Sequence, residues 1–214
     1  MSRRLTLRNE RGTPPILPSE YQQVEYIESR GQLYILTPLS GVMKGYTVHC
    51  WLGHRDEMPG TSETVFGMYR YVGGQVLSRY TSGNYGVNGD GTSYGNKYAG
   101  IPSDQLCECI IHFHNSNQSG TLDGREIYGY KYNNYLTGSW YLFGVRQYGG
   151  STWSYYKGFL GRFTVCNTST LDVVLDLVPC YRKADDVIGM YDLVTDTFVT
   201  KTGTGTLTRG ADVN

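Results

Sequence analysis

The clearest alternation of apolar and polar positions runs from 106 to 114. Cys107, Cys109, Ile111 and Phe113 fall on one side there, and Glu108, Ile110, His112 and His114 on the other. A period of two predicts a strand with one buried face. The same pattern predicts strands over 46 to 52, with Val48 and Cys50 sharing a face, and over 140 to 146, 159 to 166 and 173 to 178. Residues 32 to 37 form another, ended by Pro38, and Pro179 closes 173 to 178, because proline gives a ladder no N–H. Shorter pieces at 65 to 71 and 75 to 80 flank Gly73-Gly74, and 19 to 31 reads as a turn leading into a strand. Asp123-Gly124 predicts a tight hairpin between Thr121-Leu122 and a strand over 125 to 130. Residues 83 to 91 are too rich in Gly and Asn for a core element and read as loops or hairpin tips. Tyr191, Phe198 and the Thr-rich 202 to 208 offer short closing strands, and only 182 to 190 has room for a brief helical turn. Many short strands without helical crossovers predict an all-β chain of antiparallel sheets, packed face to face or closed as a barrel.

Length and charge narrow the picture. A chain of 214 residues can bury one sizeable core, so one domain is expected over 17–210, preceded by a basic arm over 1–16. Lys plus Arg equal Asp plus Glu at 19 each, which leaves no overall field for nucleic acid or an acidic membrane. The arm is the local exception, and Arg3, Arg4, Arg8 and Arg11 are expected to clamp an acidic partner. No apolar run reaches the length of a membrane span and the first residues lack a secretory signal, so synthesis and folding in cytoplasm are expected. Five cysteines, an odd count at irregular spacing, read as free thiols.

The chemistry points to recognition. Twenty tyrosines and 28 glycines concentrate, with Asn, Ser and Trp, in 69 to 98 and 128 to 156. A sugar needs a flat apolar ring against its C–H face and fixed planar groups for its hydroxyls. Tyr80, Tyr85, Asn88, Asp90 and Tyr94 supply both kinds in one segment, and Gln147, Tyr148, Trp153 and Tyr155 in a second. Tyr80, Tyr85, Tyr94 and Trp153 are the expected stacking platforms; Asn88, Asp90 and Gln147 are the hydroxyl partners. Asn88-Gly89-Asp90-Gly91 lacks the further carboxylates of a calcium loop and reads as an Asx turn, so no cofactor is expected, structural calcium being the alternative. Alternation sends the two thiols of Cys107-x-Cys109 and the two rings of His112-x-His114 to opposite faces, against a zinc site. No phosphate-cradling Gly-Lys loop occurs.

Three motifs in order carry a resemblance. They are Leu17-Pro18-Ser19-Glu20-Tyr21-Gln22-Gln23-Val24-Glu25-Tyr26-Ile27-Glu28-Ser29, then Tyr155-Tyr156-Lys157-Gly158-Phe159-Leu160-Gly161-Arg162, and then Asp176-Leu177-Val178-Pro179-Cys180 with Gly189-Met190-Tyr191-Asp192-Leu193-Val194 and Gly203-Thr204-Gly205. Over about 17 to 210 the chain resembles the concanavalin A-like, laminin G-like jelly-roll modules of tail and fibre proteins of phages and prophages of gut bacteria. The resemblance implies a jelly-roll β-sandwich of two antiparallel sheets with its chain ends close together. It also implies a noncatalytic receptor-binding or adhesion module for a bacterial surface polysaccharide, in a virion tail or fibre that is often trimeric. The alternative is a structural virion or tail-assembly protein whose rings pack against neighbouring subunits. Jelly-roll glucanases of similar fold carry Glu-x-Asp-x-Glu on a strand, and no such run occurs here, so no enzyme is expected.

Overall fold

The computed structural model describes residues 17–55, 57–68, 76–88, 99–114, 117–130, 138–146 and 153–213, with the backbone alone at Val76, Asn88, Asn117, Tyr130, Arg146 and Trp153. The expected sites Asp90, Tyr94, Gln147 and Tyr148, and the arm arginines Arg3, Arg4, Arg8 and Arg11, lie outside the described residues.

The described residues form strands and turns and no helix. The strands of the first half are β1 (Tyr21–Gln23), β2 (Ile27–Arg30), β3 (Leu33–Gly41), β4 (Tyr46–Gly53), β5 (Glu63–Met68), β6 (Val76–Arg79), β7 (Tyr85–Asn88), β8 (Cys107–Phe113) and β9 (Asn117–Leu122). Those of the second half are β10 (Arg125–Tyr130), β11 (Gly138–Leu142), β12 (Gly144–Arg146), β13 (Trp153–Tyr155), β14 (Gly158–Asn167), β15 (Val173–Arg182), β16 (Val187–Asp192), β17 (Thr197–Gly203) and β18 (Thr206–Arg209).

One antiparallel sheet has the order β10-β9-β8-β4-β14-β15-β16-β17, and the second runs β17-β3-β11-β5-β6-β7. β17 belongs to both, pairing with β16 through 197 to 200 and with β3 through 201 to 203. The inner faces meet through large rings. Phe66 of the second sheet packs edge-on against Phe163 and Phe113 of the first, at 5.1 and 6.5 Å between centroids, and Trp140 meets Tyr46 at 6.0 Å. These are favourable aromatic geometries, and Phe66, Phe113, Phe163 and Trp140 are buried. At the far edges, a Cβ on Gly129 of β10 would collide with the Val87 carbonyl of β7, so the sandwich closes where two backbones touch. The fold is an all-β sandwich of jelly-roll type. Its first and last described segments lie together: Val24 bridges Asp212, and the Val213 N–H donates to the Gln23 carbonyl at 3.0 Å.

Several expectations are corrected. β3 continues through Pro38, because β17 leaves it after Ile35 and β11 shifts register between Ser139 and Tyr141, opposite the proline. β15 continues through Pro179, whose carbonyl still accepts from the Val24 N–H at 3.0 Å. Its nitrogen falls between the end of pairing with β14 at Leu177 and the start of pairing with β1 at Cys180. The expected loop over 83 to 91 contains β7, paired with β6 and inserting Tyr85 and Val87 into the core. No helical turn occupies 182 to 190, where Asp186 at φ 54° turns the chain into β16. The strand expected over 140 to 146 breaks into β11 and β12 at Phe143, whose φ is 60°. The 106 to 114 alternation is observed as drawn, and Asp123 and Gly124 take φ of 51° and 71°, a turn with both central angles positive.

Candidate functional site

A groove of about 450 Å³ opens where β2 approaches the segment after β4 and the starts of β5 and β14. Its wall holds Glu28, Ser29 and Arg30 of β2, Arg55 and residues 57 to 60, Glu63 of β5, Arg79 of β6, and Lys157. Local sequence explains the convergence. A Cβ on Gly53 would collide with the Phe159 ring, and one on Gly158 with the Gly53 carbonyl and the Tyr156 ring, so the end of β4 and the start of β14 approach only as glycines. That approach delivers Arg55 to Glu28, which β14 and β18 hold from either side.

Two charged clusters divide the wall. Arg55 grips Glu28 with two nitrogens, Nη2 to Oε2 at 2.8 Å and Nε to Oε1 at 3.2 Å, and gives Nη1 to Asp104 at 2.8 Å. Arg30 adds its Nε to Glu28 Oε1 at 3.2 Å. Burial by itself would raise the Glu28 carboxyl, but the hydrogen bonds from Arg55 and Arg30 outweigh it and hold the group below the usual glutamate range. In the second cluster, Glu63 and Arg79 are 5% and 3% exposed, yet their nearest charged atoms stand 3.7 Å apart. Burial dominates there and pushes Glu63 up to about 6, against the pull of Arg79 and Lys157. Among the described residues, three buried atoms of residues in this wall have no hydrogen-bond partner: Ser29 Oγ, Glu63 Oε2 and Arg79 Nε. Such orphans are uncommon in folded proteins, and here the residues that bear them line one opening.

Beside these charges runs a hydroxyl chain. His54 Nδ1 meets the Tyr85 hydroxyl at 2.9 Å, Tyr85 meets the Tyr156 hydroxyl at 2.9 Å, and Tyr156 donates to the Gly53 carbonyl at 2.5 Å. Tyr85 is therefore a core residue with no exposed surface, and its expected role as a stacking platform is corrected. The ring is large enough to fill the core and its hydroxyl finds two partners there.

Among the described residues, the expected sugar contacts Tyr80, Tyr85 and Tyr155 do not line the groove. Tyr80 is half-buried at the turn from β6 to β7, Asn88 ends β7 opposite Val76, and Trp153 begins β13 opposite Arg146. Tyr155, opposite Gly144, lies within electrostatic reach of Tyr34. Tyr34 meets Tyr141 edge-on at 5.4 Å, and Leu36 stands 46% exposed directly opposite Tyr141. Tyr34, Tyr141 and Tyr155 thus give the second sheet a half-exposed aromatic patch, built across β3, β11 and β13. Glu108 of β8 meets His49 Nε2 at 2.9 Å. The missed groove residues had one signal: Glu63 and Arg79 are charges set directly beside strand-like apolar runs.

No family model matches the chain, and no curated protein does. Among solved structures, a candidate carbohydrate-binding protein from Bacteroides ovatus aligns over 90% of this chain at 12% identity and a TM-score of 0.56. The chain spans 62% of that protein's length, and the likeness is one of fold. Trypanosoma rangeli sialidase, in complex with DANA and with 2,3-difluorosialic acid, aligns at 10% and 9% identity with TM-scores of 0.43 and 0.45. Those alignments cover 69% and 78% of this chain and 32% and 33% of the sialidase, too little shared geometry to argue from.

Proposed function

We propose that this chain is a noncatalytic glycan-recognition module that binds a bacterial surface polysaccharide in the groove between β2, β5 and β6. The observation that carries the reading is that three residues bearing partnerless polar atoms of complementary kinds line one opening. Arg79 Nε donates, Glu63 Oε2 accepts and Ser29 Oγ does either, which is the vocabulary of a sugar's hydroxyls. Met58, 66% exposed, gives the rim an apolar surface for a sugar's C–H face. The Bacteroides ovatus protein of similar fold, described as carbohydrate-binding, supports the same reading. Glu28 is engaged by two arginines, which disfavours it as the second carboxylate that hydrolysis would need beside Glu63. The motif resemblance extends the proposal to a phage tail or fibre assembled in the host cytoplasm, in which the basic arm contacts other tail proteins and trimers form. Function requires no metal or cofactor.

The test is an array of bacterial surface polysaccharides probed with the folded chain and with Met58→Ala and Ser29→Leu variants. Binding that weakens in both variants supports the groove; a folded chain that binds nothing on the array rejects the reading. A structural role in a particle is the second reading, favoured by exposed Leu36 beside Tyr34 and Tyr141. Concentration-dependent self-association abolished by Leu36→Lys would select it.

A further inference from the structure

Resting on the glycan reading, the geometry points to an acidic saccharide as the ligand, its carboxylate seated against Arg79 and Lys157 while Ser29 meets a neighbouring hydroxyl. Four cations line the groove against three carboxylates, but they are unequally satisfied. Arg55 gives four of its five N–H groups to Glu28, Asp104 and the Tyr26 hydroxyl, and Arg30 leans on the same Glu28. Arg79 gives Nη2 to the Glu57 carbonyl, stands 3.7 Å from Glu63 through Nη1, and has no acceptor for Nε. Lys157 is exposed at the rim and its charge acts on Glu63. The wall therefore holds a guanidinium with unused donor capacity and an ammonium, facing one carboxylate that burial already disfavours as an anion. A neutral sugar would use the hydroxyl partners and leave those cations as they are. A ligand carboxylate satisfies them and lets Glu63 give up its charge.

Proton uptake should accompany such binding. Arg79 of β6, Lys157 ahead of β14 and Glu57 in the loop after β4 face Glu63, and Tyr85 and Tyr156, with His54 hydrogen-bonded behind Tyr85, stand on its inner side. Of these groups Glu63, held at about 6, changes charge near neutrality by the mechanism described, while a sugar carboxylate, the stronger acid, stays ionised. Affinity for the acidic ligand then rises as pH falls toward that value and levels off below it.

The experiment titrates the full chain with oligogalacturonate, a hyaluronan octasaccharide and alginate, each beside its carboxyl-reduced form, from pH 5 to pH 8. The expected result is that carboxyl reduction weakens the best binder about tenfold or more, and that its affinity falls roughly tenfold between the ends of the pH range. Glu63→Gln should hold the low-pH affinity throughout. Lys157→Gln, at the exposed rim where folding is not at stake, should weaken the acidic form several-fold and leave the reduced form unchanged. Equal affinity for a ligand and its reduced form, or a pH slope that survives Glu63→Gln, overturns the acidic assignment. Binding confined to neutral glycans and lost in the groove variants overturns it too, while preserving the recognition reading. Absence of binding to every glycan overturns both.

Discussion

The hydroxyls of Tyr85 and Tyr156 lie 2.9 Å apart inside the core, and the direction of that hydrogen bond is fixed from its far end. The Gly53 carbonyl can only accept, so Tyr156 donates to it, Tyr85 donates to Tyr156, and Tyr85 receives from His54. His54 accordingly carries its proton on Nδ1. Three side chains from separate parts of the chain are locked into one tautomer and one order.

Replacing Tyr85 by Phe breaks that order and removes its hydrogen bonds with His54 and Tyr156, at a cost of about 1–2 kcal/mol. Tyr85→Ala opens a cavity as well and should cost about 3–5 kcal/mol. Urea unfolding measures both. Glycan binding by the folded fraction should persist in the Phe variant, as the ring has no exposed surface.

Stability should depend on pH through Glu63. Its folded carboxyl titrates near 6, above its ordinary 4.5, so between those values the folded protein binds more protons than the unfolded chain and stability falls as pH rises. The loss amounts to about 2 kcal/mol by neutral pH. Glu63→Gln should flatten that window and be the more stable protein above pH 6, in unfolding series run at successive pH values. A wild-type midpoint that does not fall across the window would contradict this.

Glu28 has the opposite sign. Its carboxyl is held below the ordinary value, so the stability it supplies is present above that value and lost as pH falls through the folded one. Glu28→Gln should cost about 2 kcal/mol at pH 7, tempered by the exposure of its arginine partners. With Arg55→Gln added, the combined loss should fall short of the sum, because the two changes remove one shared contact.

The thiols should be silent in the native protein. Cys50 faces Cys109 across β4 and β8, both buried, and burial holds Cys50 well above the ordinary thiol range and lifts Cys180 to about 12. Native protein at pH 8 should react with DTNB far below stoichiometry, and denatured protein should yield all five thiols.

The sequence carried the class of fold and much of its strand pattern, because period-two burial is a local signal. It did not carry β7, whose Gly-Asn composition matches a turn while its register against β6 comes from a strand contributed by other residues. Pro38 and Pro179 look like stops in isolation; only neighbours that end or bulge beside them reveal that the missing N–H has no partner to disappoint. The groove was illegible for a related reason. Glu28, Arg55, Glu63, Arg79 and Lys157 are scattered over 130 positions and share no spacing. Tyrosine abundance marked rings in general, yet it does not separate Tyr85, a core residue, from Tyr155, which is half-exposed.

β2 has consequences for how the chain assembles. Its ladder partners are β14, at 158 to 160, and β18, at 206 to 209, so the strand bearing Glu28 waits for residues more than a hundred positions downstream. Contacts of such sequence separation slow folding and place the groove among the late events, after local hairpins such as β8–β9–β10 have formed. A ribosome-bound chain lacking its last few strands would hold these hairpins and no site. Ligand competence would then report that synthesis had run past 209.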